Sequence, residues 1–212
     1  MFPYGHHLWQ KGRSHGCFFV LVVGTKNFGT VDLGDERRGK RLIHSAARLA
    51  EHPEAPLPEV FNWNDVRAFY RLCQHKRATL SAIQGTHWDL TRQQMAQQPL
   101  VLIVHDTTEL NYSSHKALQG TGPLGTGEGR GFLQHNSLAI VPEPKAVLGL
   151  AYQQWHVRKP VPKRPGKKEH TSRRKERARE SQLWMQGIAA TGRPPSGCRW
   201  SSTRILATRA SR

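Results

Sequence analysis

Nowhere in its 212 residues does this chain string together the ~20 apolar residues that a membrane-spanning helix needs. No membrane helix and no membrane partner are therefore expected. Cysteine is scarce: Cys17, Cys73 and Cys198 stand far apart with no CxxC pair, which argues against a zinc site and a disulfide framework and makes a reducing, cytoplasmic setting the default. Acid is the other shortage, with 15 Asp plus Glu against 32 Lys plus Arg, a net charge of +17 and a pI near 10.6. Such an excess points to a polyanionic partner, most simply nucleic acid. The apolar run from Cys17 to Val23 imitates a secretory signal, but it is short and leads into Gly24, Thr25 and Lys26 without a small-residue cleavage site.

The charge is uneven. Up to His156 there are sixteen basic and twelve acidic residues, whereas from Val157 onward sixteen basic residues face three acidic ones. The last quarter of the chain thus carries most of the excess. Its first part, 158–179, has almost nothing apolar, and the first half of that stretch reads as a flexible loop. Residues 1–25, rich in His, Gly and aromatics without a period, read as an irregular leader; His6, His7 and His15 lack the acidic or Cys partners of a metal site.

Asp35 is placed to cap a helix running to about Ala50, with Leu42, Ile43, Ala46, Leu49 and Ala50 at helical spacing and Arg37, Arg38, Lys40, Arg41 and Arg48 elsewhere on its surface. Pro53, Pro56 and Pro58 make 51–59 a connector. A second helix follows over about 64–75, with Trp63, Val66, Phe69, Tyr70 and Cys73 as its apolar side and Arg67 and Arg71 exposed. A third, over 79–97, is expected to be interrupted near Gly85. Three helices in some 70 residues make an all-helical module of the size of many DNA-binding units. Basic faces of this kind also occur as ordinary solvated helix surface.

Leu100 to Val104 then form an unbroken aliphatic run, too short for a membrane and too continuous for a half-exposed strand, so a buried central strand is expected that stops at His105 and Asp106. A carboxylate at the rim of such a strand suits catalysis or metal binding. It equally suits a turn cap made with Thr107 and Thr108, and local sequence leaves both readings open. The glycine-rich stretch 120–131 lacks the GK[ST] ending of a phosphate-binding loop. Residues 132–141 and 146–157 read as a hairpin. A helix beginning near Glu176 is stopped by Gly192, Pro194 and Pro195, and residues 201–212 show neither turn chemistry nor strand alternation.

Four segments together resemble IS4-family, Tn5-like transposases. LGDERR at 33–38 resembles the LGD-x-RR motif that opens their DNA-binding domain, and AFYR at 68–71 its AYR motif. HDTTELNY at 105–112 is similar to their DTT-x-L-x-Y segment, and QWHVR at 154–158 to their QEWW-x-R strand. The resemblance covers about 27–200. It implies an α+β chain: 1–25 leader, 26–97 helical DNA-binding module, 98–200 the start of an RNase H-like α/β catalytic domain, and 201–212 an out-of-frame tail. It further implies that Asp106 is the first carboxylate of a DDE triad and a ligand of Mg²⁺, serving DNA cleavage and strand transfer. Arg37, Arg38, Lys40, Arg41, Arg67 and Arg71 become candidates for contacts to double-stranded DNA at transposon ends.

The pattern also breaks. No Asp follows Asp106 anywhere in the chain, so the family's second catalytic Asp has no counterpart. Its third carboxylate, a Glu within a YREK signature, and its C-terminal dimerisation region have none either. A frameshift or early end after about Trp200 is the expectation, with a sheet lacking its fourth strand, weak or absent Mg²⁺ binding and no catalysis. Two functions follow: a transposase derivative that does not cut, or a DNA-binding inhibitor of an intact transposase. A basic RNA-associated protein is a third reading, resting on the C-terminal charge alone.

Overall fold

Asp35 does open a helix. In the computed structural model, which describes residues 24–125, 129–159 and 180–204, α1 (Glu36–Glu51) starts where the Asp35 carboxylate accepts the backbone N–H of Arg37 at 2.8 Å, satisfying a donor that a helix start leaves free. The expected leader up to residue 23, the basic segment from 160 to 179 and the tail from 205 lie outside the described residues. The chain divides into two units, 1–87 and 88–212.

In the first unit, α1 turns Leu42 inward against Leu33 and Leu72, with Phe28, Val31, Ala78, Ala82 and Ile83 packed around them. Each fully buried leucine contributes about 1.5–3 kcal/mol. The proline-rich connector contains a short helix, α2 (Leu57–Val60). Helix α3 (Trp63–Cys73) is capped by Asn62, which accepts the Asp65 N–H at 3.0 Å. Arg48 ties the pieces together through Glu51 at 2.9 Å and the Val60 carbonyl at 3.0 Å.

The inward face of α3 differs from the one its spacing predicts. Leu72 is buried and Phe69 stacks on Phe61, centroids 5.7 Å apart, while Trp63, Tyr70 and Cys73 face solvent. The reason is phase. Nine residues at about 100° each put Trp63 some 180° from Leu72, so once Leu72 joins Leu33 and Leu42, Trp63 must point away. Helix α4 (Leu80–Met95) also departs from expectation, running without interruption through Gly85, which has open space around it. An isolated glycine weakens a helix by only about 1 kcal/mol. The division between the two units falls inside α4, after His87.

The second unit is built on a five-stranded sheet. Strand β1 (Leu100–Asn111) pairs antiparallel with β3 (Arg130–Val141), and β3 antiparallel with β4 (Ala146–His156); the two-residue β2 (Gly122–Pro123) lies against the start of β3. After α5 (Glu180–Thr191), β5 (Arg199–Arg204) pairs with β1 in parallel. The α+β class is as the sequence indicates, with helices first and a mixed sheet after them.

Two expectations about this sheet are overturned. Strand β1 does not stop at His105: Asp106 to Asn111 keep their partners on β3, from Asp106 opposite Asn136 to Asn111 opposite Gly131. Nor does the sheet lack a fourth long partner. Residues 201–204 extend β5, with Leu102 opposite Ser201 and Val104 opposite Thr203. Backbone pairing needs no apolar side chain, so a Ser-Ser-Thr run with exposed side chains escapes a reading based on alternation. Burial along β1 alternates as well: Val101, Ile103 and His105 are buried, Leu102 and Val104 half-buried. Met95 packs with Val101, Ile103, Ala139 and Ala151 on the covered face, and Leu183 of α5 packs with Leu124 and Leu133.

Candidate nucleic-acid interface

The six basic candidates separate into three groups. Arg37, Arg67 and Arg71 are exposed, and their side chains make no hydrogen bond or ion pair among the described residues. Lys40 is exposed but pairs with Glu36 one turn earlier, at 2.7 Å; such surface pairs contribute little and exchange readily for a stronger anion. Arg38 and Arg41 are partly committed to the fold. Arg38 donates to the Leu33 carbonyl at 2.9 Å, and Arg41 pairs with Asp65, joining α1 to α3. Only the first group presents guanidinium groups with every donor free for phosphate or base contacts.

The structure adds residues that the sequence reading passed over. Arg77 lays its guanidinium across Gly34, in the space a Cβ would fill, and Gly34 holds φ at +73°. The turn from His75 to Arg77 thereby meets the start of α1. Partial desolvation, followed by the positive charges of Arg38, Lys76 and Arg77, lowers the pKa of His75, with Asp35 opposing. His75 Nδ1 accepts the Arg77 backbone N–H at 3.2 Å. Lys76 and Arg77 escaped notice because they lie past the end of α3, in a turn with no period to mark a face.

Helix α3 carries the other missed feature. Trp63 is 73% exposed and Tyr70 52% exposed, with Arg67 between them, and the exposed positions of the helix include no acid. Its one acidic residue, Asp65, is half-buried against Arg41.

Asp106 lies on β1 in a polar row. Its Oδ2 accepts from the Thr108 hydroxyl at 3.0 Å, and its register partner Asn136 receives Gln134 Nε2 at 3.1 Å and Gln153 Nε2 at 2.8 Å through one oxygen. The other acid nearby in sequence, Glu109, points to the opposite face of the strand and is held by Arg158 at 2.8 Å. Among the described residues no three His, Cys, Asp or Glu side chains are grouped as metal ligands. A two-metal Mg²⁺ centre needs several converging carboxylates. The described residues do not fit that pair of ions.

On the covered face, β1 and β3 place two histidines together. His105 and His135 stack with centroids 5.6 Å apart, and Trp184 of α5 packs against both, at 5.8 and 5.3 Å. His105 Nδ1 bonds the Ser137 hydroxyl at 3.0 Å, and His135 Nδ1 bonds the Thr107 hydroxyl at 2.8 Å. Neither Nε2 has a partner among the described residues. Burial, then the neighbouring His105, lowers the pKa of His135 to about 4, with Asp106 opposing; burial lowers that of His105 too. Both rings are neutral packing elements at neutral pH.

A basic, all-helical unit with uncommitted arginines on an acid-free helix face belongs to the class of helical nucleic-acid-binding modules. Residues 24–78 match the family model of the transposase DNA-binding domain. The match supports a transposase-related role for this unit, with DNA as its partner. Among the described residues no helix is long and apolar enough to cross a membrane.

Proposed function

We propose that this chain derives from an IS4-type, Tn5-like DDE transposase, and that its helical unit holds double-stranded DNA at a transposon end. The observation that carries the reading is that the family match over 24–78 falls on the unit whose Arg37, Arg67 and Arg71 are free and exposed. Lys40 joins them by exchanging Glu36 for phosphate, while Arg38 and Arg41 serve mainly to hold the unit together. Asp106 is the descendant of the first DDE carboxylate, which in an intact enzyme takes Mg²⁺. Three antiparallel strands, a helix and then a strand parallel to the first support an RNase H-like origin for the second unit. Dimerisation through a C-terminal region belongs to the intact family enzyme.

This chain on its own binds DNA and does not cut it. No Asp follows Asp106 in the sequence, and the other acid of its strand, Glu109, lies on the opposite face and is held by Arg158. The same observation favours a second reading, an inhibitor that occupies transposon ends in competition with an intact transposase. Both are tested by titrating the full chain with end-containing and scrambled duplexes at matched salt, with Mg²⁺ or Mn²⁺ present. Preference for the end duplex, reduced in Arg67→Ala with a salt slope shallower by about 1, and no nicking is the expected result. Equal affinity for the scrambled duplex would refute end recognition. Nicking that vanishes in Asp106→Ala would refute the inactive reading.

A further inference from the structure

The outward face of α3 carries two aromatic rings where a duplex-binding helix needs only cations and amides. Trp63, Arg67 and Tyr70 stand at i, i+4 and i+7 and so lie within about 60° of one another around the helix. Asn64, Arg71 and Gln74 flank them, and all six side chains are exposed. Trp63 keeps 73% and Tyr70 52% of its surface in solvent, which leaves two flat apolar rings wet on one face. Arg67 and Arg71 make no ion pair among the described residues. Such a face demands a partner that is both anionic and flat. An acidic protein would satisfy the arginines but not the rings, and an apolar protein surface would strand two guanidinium groups. Single-stranded nucleic acid satisfies both, because phosphates pair with arginine while unstacked bases lie on aromatic rings.

We infer that this face of α3 takes up unpaired bases, so that the preferred ligand is DNA with a frayed, junction or single-stranded segment beside its duplex. Seven residues of helix separate the two rings by about 10 Å along the axis. Trp63 and Tyr70 therefore engage two different bases and cannot sandwich one. Arg67, between them, holds the intervening backbone. This inference rests on the proposed DNA-binding role of the helical unit and goes beyond it, since duplex binding through Arg37 and the cations around it requires no ring.

The test uses the full chain and three fluorescent probes of equal length: a duplex, the same duplex with a four-nucleotide unpaired segment, and a single strand. Wild type is expected to bind the partly unpaired probe more tightly than the duplex, and Trp63→Ala or Tyr70→Ala to weaken that binding by roughly tenfold. The same variants should change duplex binding less than about twofold and leave the salt slope unaltered. Trp63→Phe, which keeps a ring, should restore most of the lost affinity. Both rings are exposed, so unchanged circular dichroism is expected in each variant. Equal loss on duplex and partly unpaired probes, or no loss on either, would overturn the inference. So would concentration-dependent self-association of the wild type that disappears in Trp63→Ala, since the face would then bind a second copy. Failure of wild type to bind any probe above the level of a basic peptide would instead remove the DNA-binding role itself.

Discussion

Acid should unfold the second unit through one imidazole. His135 is fully buried, bonded by Nδ1 to Thr107 and pressed by Nε2 against α5 at Gly187. Its folded pKa of about 4 lies below the 6.5 of an exposed histidine. The folded state therefore binds fewer protons than the unfolded state between these values, and stability falls as pH falls. The contribution of the neutral ring is fully present above pH ~6.5 and is lost progressively down to pH ~4. At ~1.4 kcal/mol per pH unit the whole window amounts to about 3.5 kcal/mol, of which about 2.5 kcal/mol is gone by pH 4.5. Urea unfolding at pH 7.0 and 4.5, followed by tryptophan fluorescence, reads this directly because Trp184 packs on both rings. Carboxylates also titrate in this range, so the measured quantity is the difference between wild type and His135→Gln, which can still pair with Thr107. Wild type should lose about 2.5 kcal/mol more than the variant. A difference below about 0.5 kcal/mol would refute a neutral, buried His135.

Two further outcomes concern stability. In Gly187→Ala the new Cβ would stand 2.6 Å from His135 Nε2 and 3.0 Å from Ser137 Oγ, so the urea midpoint should fall by the equivalent of about 1–3 kcal/mol; an unchanged midpoint would mean that α5 sits further from the sheet. Asp35→Ala removes the cap on Arg37 N–H and should destabilise the helical unit by about 0.5–2 kcal/mol, read as a lower thermal midpoint in far-UV circular dichroism, with Asp35→Asn close to wild type.

What the sequence disclosed depended on whether a signal was local. The Asp35 cap, the proline break and the hairpin from 132 to 157 are set by residues within a few positions of one another, and they were legible. The inward face of α3 was not. Two phases of the same helix each carry aromatic or aliphatic residues, and only Leu72 meeting Leu33 and Leu42 across the unit decides between them. Strand β1 outran its aliphatic segment for a similar reason, since Asp106 to Asn111 are strand because β3 lies beside them. The buried His105 and His135 pair is thirty residues apart in the chain, and its packing under Trp184 depends on α5 crossing that face. Of the candidate interface, the sequence offered the six cations as equals. Which are free and which bind the fold together follows partly from Glu36, an i,i+4 partner that helical spacing does offer, and mainly from Leu33 and Asp65, acceptors that no spacing rule would single out.

The parallel pairing of β1 with β5 sets a timetable. Leu100 meets Arg199, so the β5 edge of the sheet cannot close until about a hundred further residues have been made, which takes roughly 5–20 s at a ribosome adding 5–20 residues per second. The contacts of the helical unit, including the hydrogen bond of Thr86 to the Asn27 carbonyl, are all encoded before β1 is made. During synthesis, then, a nascent chain carries its DNA-binding unit complete while β1 still waits for a partner on one edge.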